Sequence, residues 1–264
     1  MDLGLTGKTA LITGSTAGIG LAIAQSLAAE GAHVTLNGRT QPRVDAAIAA
    51  IHTHTPAANV AGIVADLATP AGAATIAAAL PAVDILVNNV AIFTMKPFPG
   101  LTDADWLNIF EVNVMSGVRL ARHYLPAMLA GNWGRILFIS SESAVQIPVE
   151  AISYGVSKTA QVALARGLAE SVAGTGVTVN SVLPGPTASE GMGSIVAAMA
   201  AEQHKSAAEI EQDFFAHMRP SSLLKRFATT QEVASVVTYL ASPLSSATNG
   251  AALRVDGGVI KAIL

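Results

Sequence analysis

Tyr154 and Lys158, in the stretch Ser153-Tyr-Gly-Val-Ser-Lys158, stand four residues apart in a 264-residue chain with only three tyrosines. On a helix that spacing stacks the two side chains on one face, within reach of a common ligand. An ammonium beside a phenol favours the phenolate. Lys158 is therefore expected to pull Tyr154 below its usual value of about 10, toward the range where it exchanges protons near neutrality. Taken alone, the pair is equally what an incidental helical spacing would give. Ser140-Ser141 adds to it, because these hydroxyls follow the apolar run 136–139, and open α/β sheets place reactive groups at the carboxyl ends of their strands.

A second constellation lies near the N-terminus. The apolar run 9–12 leads into Thr13-Gly-Ser-Thr-Ala-Gly-Ile-Gly20 and then a helical pattern. Gly14 permits a tight turn, Gly18 lets the backbone approach a pyrophosphate, and Gly20 lets helix and strand pack closely. The helix N-terminus contributes N–H groups and a positive dipole end. The spacing is one residue off the G-x-G-x-x-G dinucleotide fingerprint, and a plain glycine-rich turn is the alternative. Some twenty residues on, Leu36-Asn-Gly-Arg-Thr40 carries no carboxylate to hold a ribose 2′-hydroxyl, whereas the planar fork of Arg39 matches a 2′-phosphate. NADP(H) is the favoured cofactor. NAD(H) remains possible, with Asn37 or Thr40 serving a free ribose hydroxyl.

The glycine-rich turn, Ser141, Tyr154 and Lys158, in this order and at these spacings, resemble the short-chain dehydrogenase/reductase family over essentially the whole chain. Asn88-Asn89 looks like its Asn-Asn-Ala-Gly motif, Asn113 like its catalytic asparagine, and Pro184-Gly-Pro-Thr187 like the loop beside the nicotinamide. The resemblance implies that Tyr154 is the acid in carbonyl reduction and the base in alcohol oxidation, and that Ser141 holds the substrate oxygen. It implies that Lys158 holds the nicotinamide ribose and tunes Tyr154, while Asn113 holds a water joining Lys158 to solvent. It places Gly14, Ser15, Thr16, Gly18, Ile19 and Gly20 at the phosphates, Asp66 with Leu67 at the adenine, and Asn89, Pro184, Gly185 and Thr187 around the remaining cofactor. Asn88 is expected to stabilise the sheet or approach the adenosine ribose, and helix capping is the other reading of Asp66. Val90-Ala91 departs from the family's Ala-Gly and adds a Cβ at a close backbone approach.

Those side chains need a scaffold, and the apolar pattern supplies one. Continuous runs at 9–12, 34–36, 61–65, 85–87, 136–139, 177–182 and 251–255 read as strands covered on both faces, hence a parallel sheet. Between them, 18–30, 42–51, 103–129, 154–173 and 231–240 have helical spacing. Thr102 and Thr229 are cap candidates. The fold class is α/β, a Rossmann-type doubly wound parallel sheet of about seven strands in a single domain over 1–264. Residues 188–227 interrupt the alternation with two Ala-rich helical stretches and are expected to form a substrate lid. Its apolar side chains Met192, Met199, Phe214, Phe215, Met218, Leu223 and Leu224 are expected to serve as core or oligomer contacts, with a substrate box as the alternative, and Ile147, Pro148 and Val149 as an apolar pocket wall.

Composition bounds the partners. Charged residues make up 12% of the chain, half the usual share of about 25%, so a homotetramer or homodimer is expected to cover much of the surface. A net charge of −3 without a basic run argues against nucleic acid. No apolar run is long enough for a membrane span and no signal-peptide pattern opens the chain, so the expected location is cytoplasmic. Without cysteine there is no thiolate chemistry, and His52 and His54, on a polar stretch after a helix, are expected to be solvated, with no metal site. The expected partner is a small carbonyl or alcohol substrate. Arg119, Arg122, His123 and Arg166 keep reduction of a 3-oxoacyl thioester on an acyl-carrier protein as an alternative. A non-catalytic NADP-binding scaffold is the alternative of a different class.

Overall fold

The computed structural model of the chain describes residues 2–263. Two central runs, β5 (Gly134–Ile139) and β6 (Val177–Pro184), are buried at every position. Strands covered on both faces have no solvent side to alternate with, so they read as near-continuous apolar runs, and the polar exceptions Arg135, Thr178, Asn180 and Ser181 are themselves buried. Around them, β1 (Thr9–Ile12), β2 (His33–Gly38), β3 (Val60–Val64), β4 (Ile85–Asn88) and β9 (Ala252–Val255) complete a seven-stranded sheet in the order β3-β2-β1-β4-β5-β6-β9. All its pairings are parallel, with Ile12 beside both Leu36 and Val87, and Ile139 beside Val182. The order reverses between β1 and β4, and ligands of such sheets bind outside the carboxyl ends at that crevice.

Helices cover both faces. On one, α1 (Gly18–Ala29) and α9 (Thr230–Ala241) pack Ile23, Leu27, Val233 and Val237 against Ile12, Val87 and Leu137. On the other, α3 (Pro70–Ala79), α5 (Ser116–Ala130) and α6 (Ile152–Ser171) bury Ile76, Leu120, Tyr124 and Ala165 against Leu11, Leu86 and Phe138. The helix α2 (Gln41–His54) includes His52 and His54 in its last turn, so these two histidines belong to the helix itself and not to a stretch following it.

Residues 103–129 form one helical path with a fault in it: α4 (Asp103–Phe110), a single π turn Glu111–Met115, then α5. Thr102 closes a capping box with Asp105, and Thr229 closes another with Glu232. The excursion 188–227 starts and ends on a two-residue parallel pair, β7 (Thr187–Ala188) with β8 (Ala228–Thr229). It contains α7 (Glu190–Gln203), α8 (Ala207–Asp213) and a π turn, Phe214–Met218.

Candidate active site

The glycine turn is built for backbone approach. Gly14 and Gly18 lie at φ of 60° and 57°, where a Cβ is strained. A Cβ on Gly20 would sit 2.5 Å from Asn89 Nδ2 and 2.6 Å from the Gly14 carbonyl. Asn89 holds the turn by donating from Nδ2 to the carbonyls of Thr13 and Gly14, each at 3.0 Å. Ser15 is fully buried, its hydroxyl donating to the Ile12 carbonyl and accepting from the Asn37 N–H while its own N–H donates to the Asn37 carbonyl, so it braces the turn against β2. The residue before α1, Ala17, gives no side-chain cap, which leaves the first N–H groups of the helix to an outside acceptor. A cradle that a Cβ would fill, next to an uncapped N-terminus, fits a pyrophosphate.

At the end of β2 the structure separates two residues that the sequence had left equivalent. Asn37 is buried, its Oδ1 accepting from the Gly14 N–H and its Nδ2 donating to the carbonyls of Ile63 and Ala65. It ties the turn to β3 and is not available to a ribose hydroxyl, which corrects one of the two NAD(H) readings. Arg39 and Thr40 are exposed, and among the described residues Arg39 makes no side-chain hydrogen bond or ion pair. Asp66 is exposed after β3, its Oδ1 accepting from the Ala68 N–H. Thr69, not Asp66, caps α3 by accepting from the Gly72 N–H. Leu67 points into the core, leaving its backbone for any ligand. Asn88 is buried with both side-chain polar atoms unpartnered.

Tyr154 and Lys158 lie in the first two turns of α6, with Lys158 Nζ 5.6 Å from the Tyr154 ring centre. Lys158 is 2% exposed, and Nζ donates to the Ile139 carbonyl at 2.8 Å and to Gln161 Oε1 at 3.1 Å. Burial holds it down to about 7. Burial pushes Tyr154 up to about 12; the Ser141 hydroxyl acts the other way and the Glu142 charge adds to the rise. The expected lowering of Tyr154 by Lys158 is therefore not what the protein alone shows: desolvation of the phenolate dominates, and the only group acting downward is Ser141. Ser141 ends the β5 strand path, 8% exposed, its Oγ accepting from the Ser143 N–H. The Ser140 hydroxyl instead donates to the Lys158 carbonyl and fixes α6 to the strand end.

Ser141, Tyr154 and Lys158 open onto one cavity of about 520 Å³, whose walls also include Ile19, Asn89, Pro184, Gly185 and Thr187. Thr187 is buried, its hydroxyl donating to the Gly185 carbonyl at 2.9 Å. The apolar wall comes from Phe93 and from Met192, Ile195, Met199, Phe214 and Met218 of the excursion. Met192, Met199, Phe214 and Met218 thus line the cavity as the substrate-box alternative has it, whereas Phe215 is buried as the core reading has it. Ile147, Pro148 and Val149 do not line the cavity, and Val149 is 81% exposed. Arg219 brings charge to the same cavity. Its Nε donates to Glu142 Oε1 at 2.9 Å and its Nη1 to Glu150 Oε1 at 3.5 Å, which ties the excursion to the residue after Ser141. Burial raises Glu142, with Arg219 pulling it back.

A family model described as enoyl-(acyl carrier protein) reductase matches residues 14–260. The uncharacterised oxidoreductase YvaG of Bacillus subtilis is 45% identical over all of both chains. The 3-oxoacyl-[acyl-carrier-protein] reductase FabG of Aquifex aeolicus is 31% identical, over 98% of this chain and all of that one. Among solved structures, L-sorbose reductase of Gluconobacter frateurii, in complex with NADPH and L-sorbose, superposes with a TM-score of 0.93 at 31% identity over the full length of both. The chain belongs to the short-chain dehydrogenase/reductase family.

In this short-chain dehydrogenase/reductase the unusual Val90 packs over Gly14, where a Cβ on the glycine would meet Val90 Cγ2 at 2.9 Å. Ala91 lines the cavity. Asn113 lies in the π turn with its side chain fully engaged: Oδ1 accepts from the Ile92 N–H, and Nδ2 donates to the Ile92 carbonyl and to Ser157 Oγ. Its own carbonyl accepts from Gln161 Nε2 at 2.5 Å. The Gln161 side-chain amide thus links the Asn113 carbonyl to Lys158. Gln161 was not singled out from sequence; its position seven residues after Tyr154, on the same helix face, was the available signal.

Proposed function

We propose that this short-chain dehydrogenase/reductase interconverts a carbonyl and a secondary alcohol with a preference for NADP(H), Tyr154 acting as acid in reduction and base in oxidation. The observation that carries the reading is the convergence of Ser141, Tyr154 and Lys158 on one cavity beside the glycine cradle. When bound, the nicotinamide supplies or accepts the hydride. Ser141 donates a hydrogen bond to the substrate oxygen and steadies the charge that develops there. Tyr154, near 12, holds its proton at neutral pH and gives it to that oxygen in reduction. Lys158, near 7, becomes charged at little cost and stabilises the phenolate left behind.

NADP(H) is supported by the accessible Arg39, by the lack of a carboxylate at the end of β2, and by the NADPH in the L-sorbose reductase complex. NAD(H) use would fall to Thr40. Among substrates, the apolar wall combined with Glu142, Glu150 and Arg219 favours a ketone that also carries hydroxyl groups, the chemistry of the sorbose in that neighbour. Reduction of a 3-oxoacyl thioester is the second reading, supported by the Aquifex relative. Its basic docking surface is thinner than the sequence suggested, because Arg119 pairs with Glu111 and Arg166 with Glu170. The scaffold reading needs a degenerate site, and all four chemical residues are in place. Residues 188–227 act as the substrate lid. No helix among the described residues is long and apolar enough to cross a membrane, and a cytoplasmic homotetramer or homodimer completes the reading.

A panel of hydroxyketones, 3-oxoacyl thioesters and plain ketones, assayed with NADPH and NADH, tests it. Tyr154→Phe should lower turnover by at least roughly 100-fold while NADPH binding stays near wild type. Retained turnover would sink the acid–base assignment, and a higher kcat/KM with NADH would sink the cofactor assignment.

A further inference from the structure

Gln161 continues the stripe of α6 that begins at Tyr154 and Lys158, since positions i, i+4 and i+7 share one helix face. It is 1% exposed, and a buried amide needs partners for both ends. The Asn113 carbonyl can only accept, so the amide has one orientation: Nε2 toward the carbonyl, which leaves Oε1 to accept from Lys158 Nζ. That carbonyl belongs to the π turn, where the regular i→i+4 ladder is broken. The Asn113 side chain, held by Ile92 and Ser157, cannot substitute for it.

We propose that Gln161 is a positioning residue that anchors Lys158 to the Asn113 carbonyl and so sets the protonation balance of the Tyr154–Lys158 pair. The inference rests on the acid–base reading above. An amide oxygen accepts a stronger hydrogen bond from an ammonium than from an amine, so it favours the charged lysine against the pull of burial. The amide has no proton to relay at neutral pH. It orients Lys158 through hydrogen bonds at both of its ends. The other groups around Lys158 are few. Tyr154 shares its helix, and the Ile139 carbonyl accepts from it on the strand side. Glu142, whose charge reaches Tyr154, is paired with Arg219 and feels Asp256.

Two near-isosteric variants give opposite expectations. Gln161→Glu places a carboxylate on Lys158 and should move the ionisation seen in the pH profile of kcat upward by about one unit or more. Gln161→Met removes the acceptor and should move it downward, with kcat at neutral pH falling roughly tenfold. A merely structural glutamine would lower thermal stability in both without shifts of opposite sign. Should Gln161→Met fail to fold, the upward shift in Gln161→Glu, with NADPH affinity measured by fluorescence titration, decides alone. Tyr154→Phe is assayed in parallel. Substantial turnover in Tyr154→Phe overturns the acid–base reading itself. An inactive Tyr154→Phe with an unmoved ionisation in both Gln161 variants overturns this inference and leaves that reading standing.

Discussion

Lys158 is the residue at which burial and chemistry conflict most directly. It is held near 7 against an ordinary value of 10.5, because its ammonium is shut away from water. Between those values the unfolded chain binds more protons than the folded one, so stability rises with pH across that window. The strain of the charged form is fully present below about pH 7 and relieved as pH rises toward 10. Lys158→Met lacks this term. Thermal or urea unfolding should show the wild type gaining on the variant by roughly 2–3 kcal/mol between pH 7 and 9.5. A difference independent of pH would show that Lys158 is not desolvated in solution. Ser141, Tyr154 and Lys158, which the structure brings to one cavity, were legible in sequence because their spacing repeats a known pattern. Asn37 and Gln161 were not. A buried polar side chain is indistinguishable from an exposed one until its partners, here Ile63, Ala65 and Asn113, come from distant parts of the chain.

At the level of elements, strands were easier to read than helices. All seven sheet strands overlap apolar runs visible in the sequence; burial on both faces explains this for the central strands, while the edge strands β3 and β9 are largely exposed and are mostly apolar all the same. The helix α3, Pro-Ala-Gly-Ala-Ala-Thr-Ile-Ala-Ala-Ala, was not recognised, because small residues on every side leave no periodic contrast. Its cap, Thr69 before Pro70, was the signal that remained. The π turn Glu111–Met115 escaped for another reason: it contains neither glycine nor proline to mark the fault. The glycine turn shows how one element depends on another, as Gly20 of α1 faces Asn89 after β4. Gly20→Ala would press a methyl group against Asn89 and the Gly14 carbonyl, breaking the clamp that shapes the cradle. It should cost about 1–3 kcal/mol and weaken NADPH binding by more than tenfold, read by unfolding and by fluorescence titration. Wild-type affinity in that variant would mean that the cradle is not the phosphate site.

For the whole molecule, the decisive quantity is how much apolar surface the single chain leaves uncovered. Val118, Leu125 and Leu129 of α5 and Leu164 and Leu168 of α6 line an open apolar groove on the outer face of the sheet-covering helices. Leu129 is 38% exposed there, in a chain whose charged content is half that of an ordinary soluble domain. Leu164 and Leu168 stand three and seven residues after Gln161, so they continue the same side of α6 further along the helix, and no groove residue lines the cavity; packing copies of the chain through the groove would steady α6 without covering the cavity. Assembly through it should make thermal stability concentration-dependent. Sedimentation at micromolar concentration should give a species larger than one chain. Leu129→Glu puts a charge into the groove at a position exposed enough for the monomer to tolerate, and should shift the equilibrium toward smaller species, with a lower Tm that no longer depends on concentration. A wild-type protein that sediments as a monomer would overturn the assembly, and the exposed leucines would then need another partner.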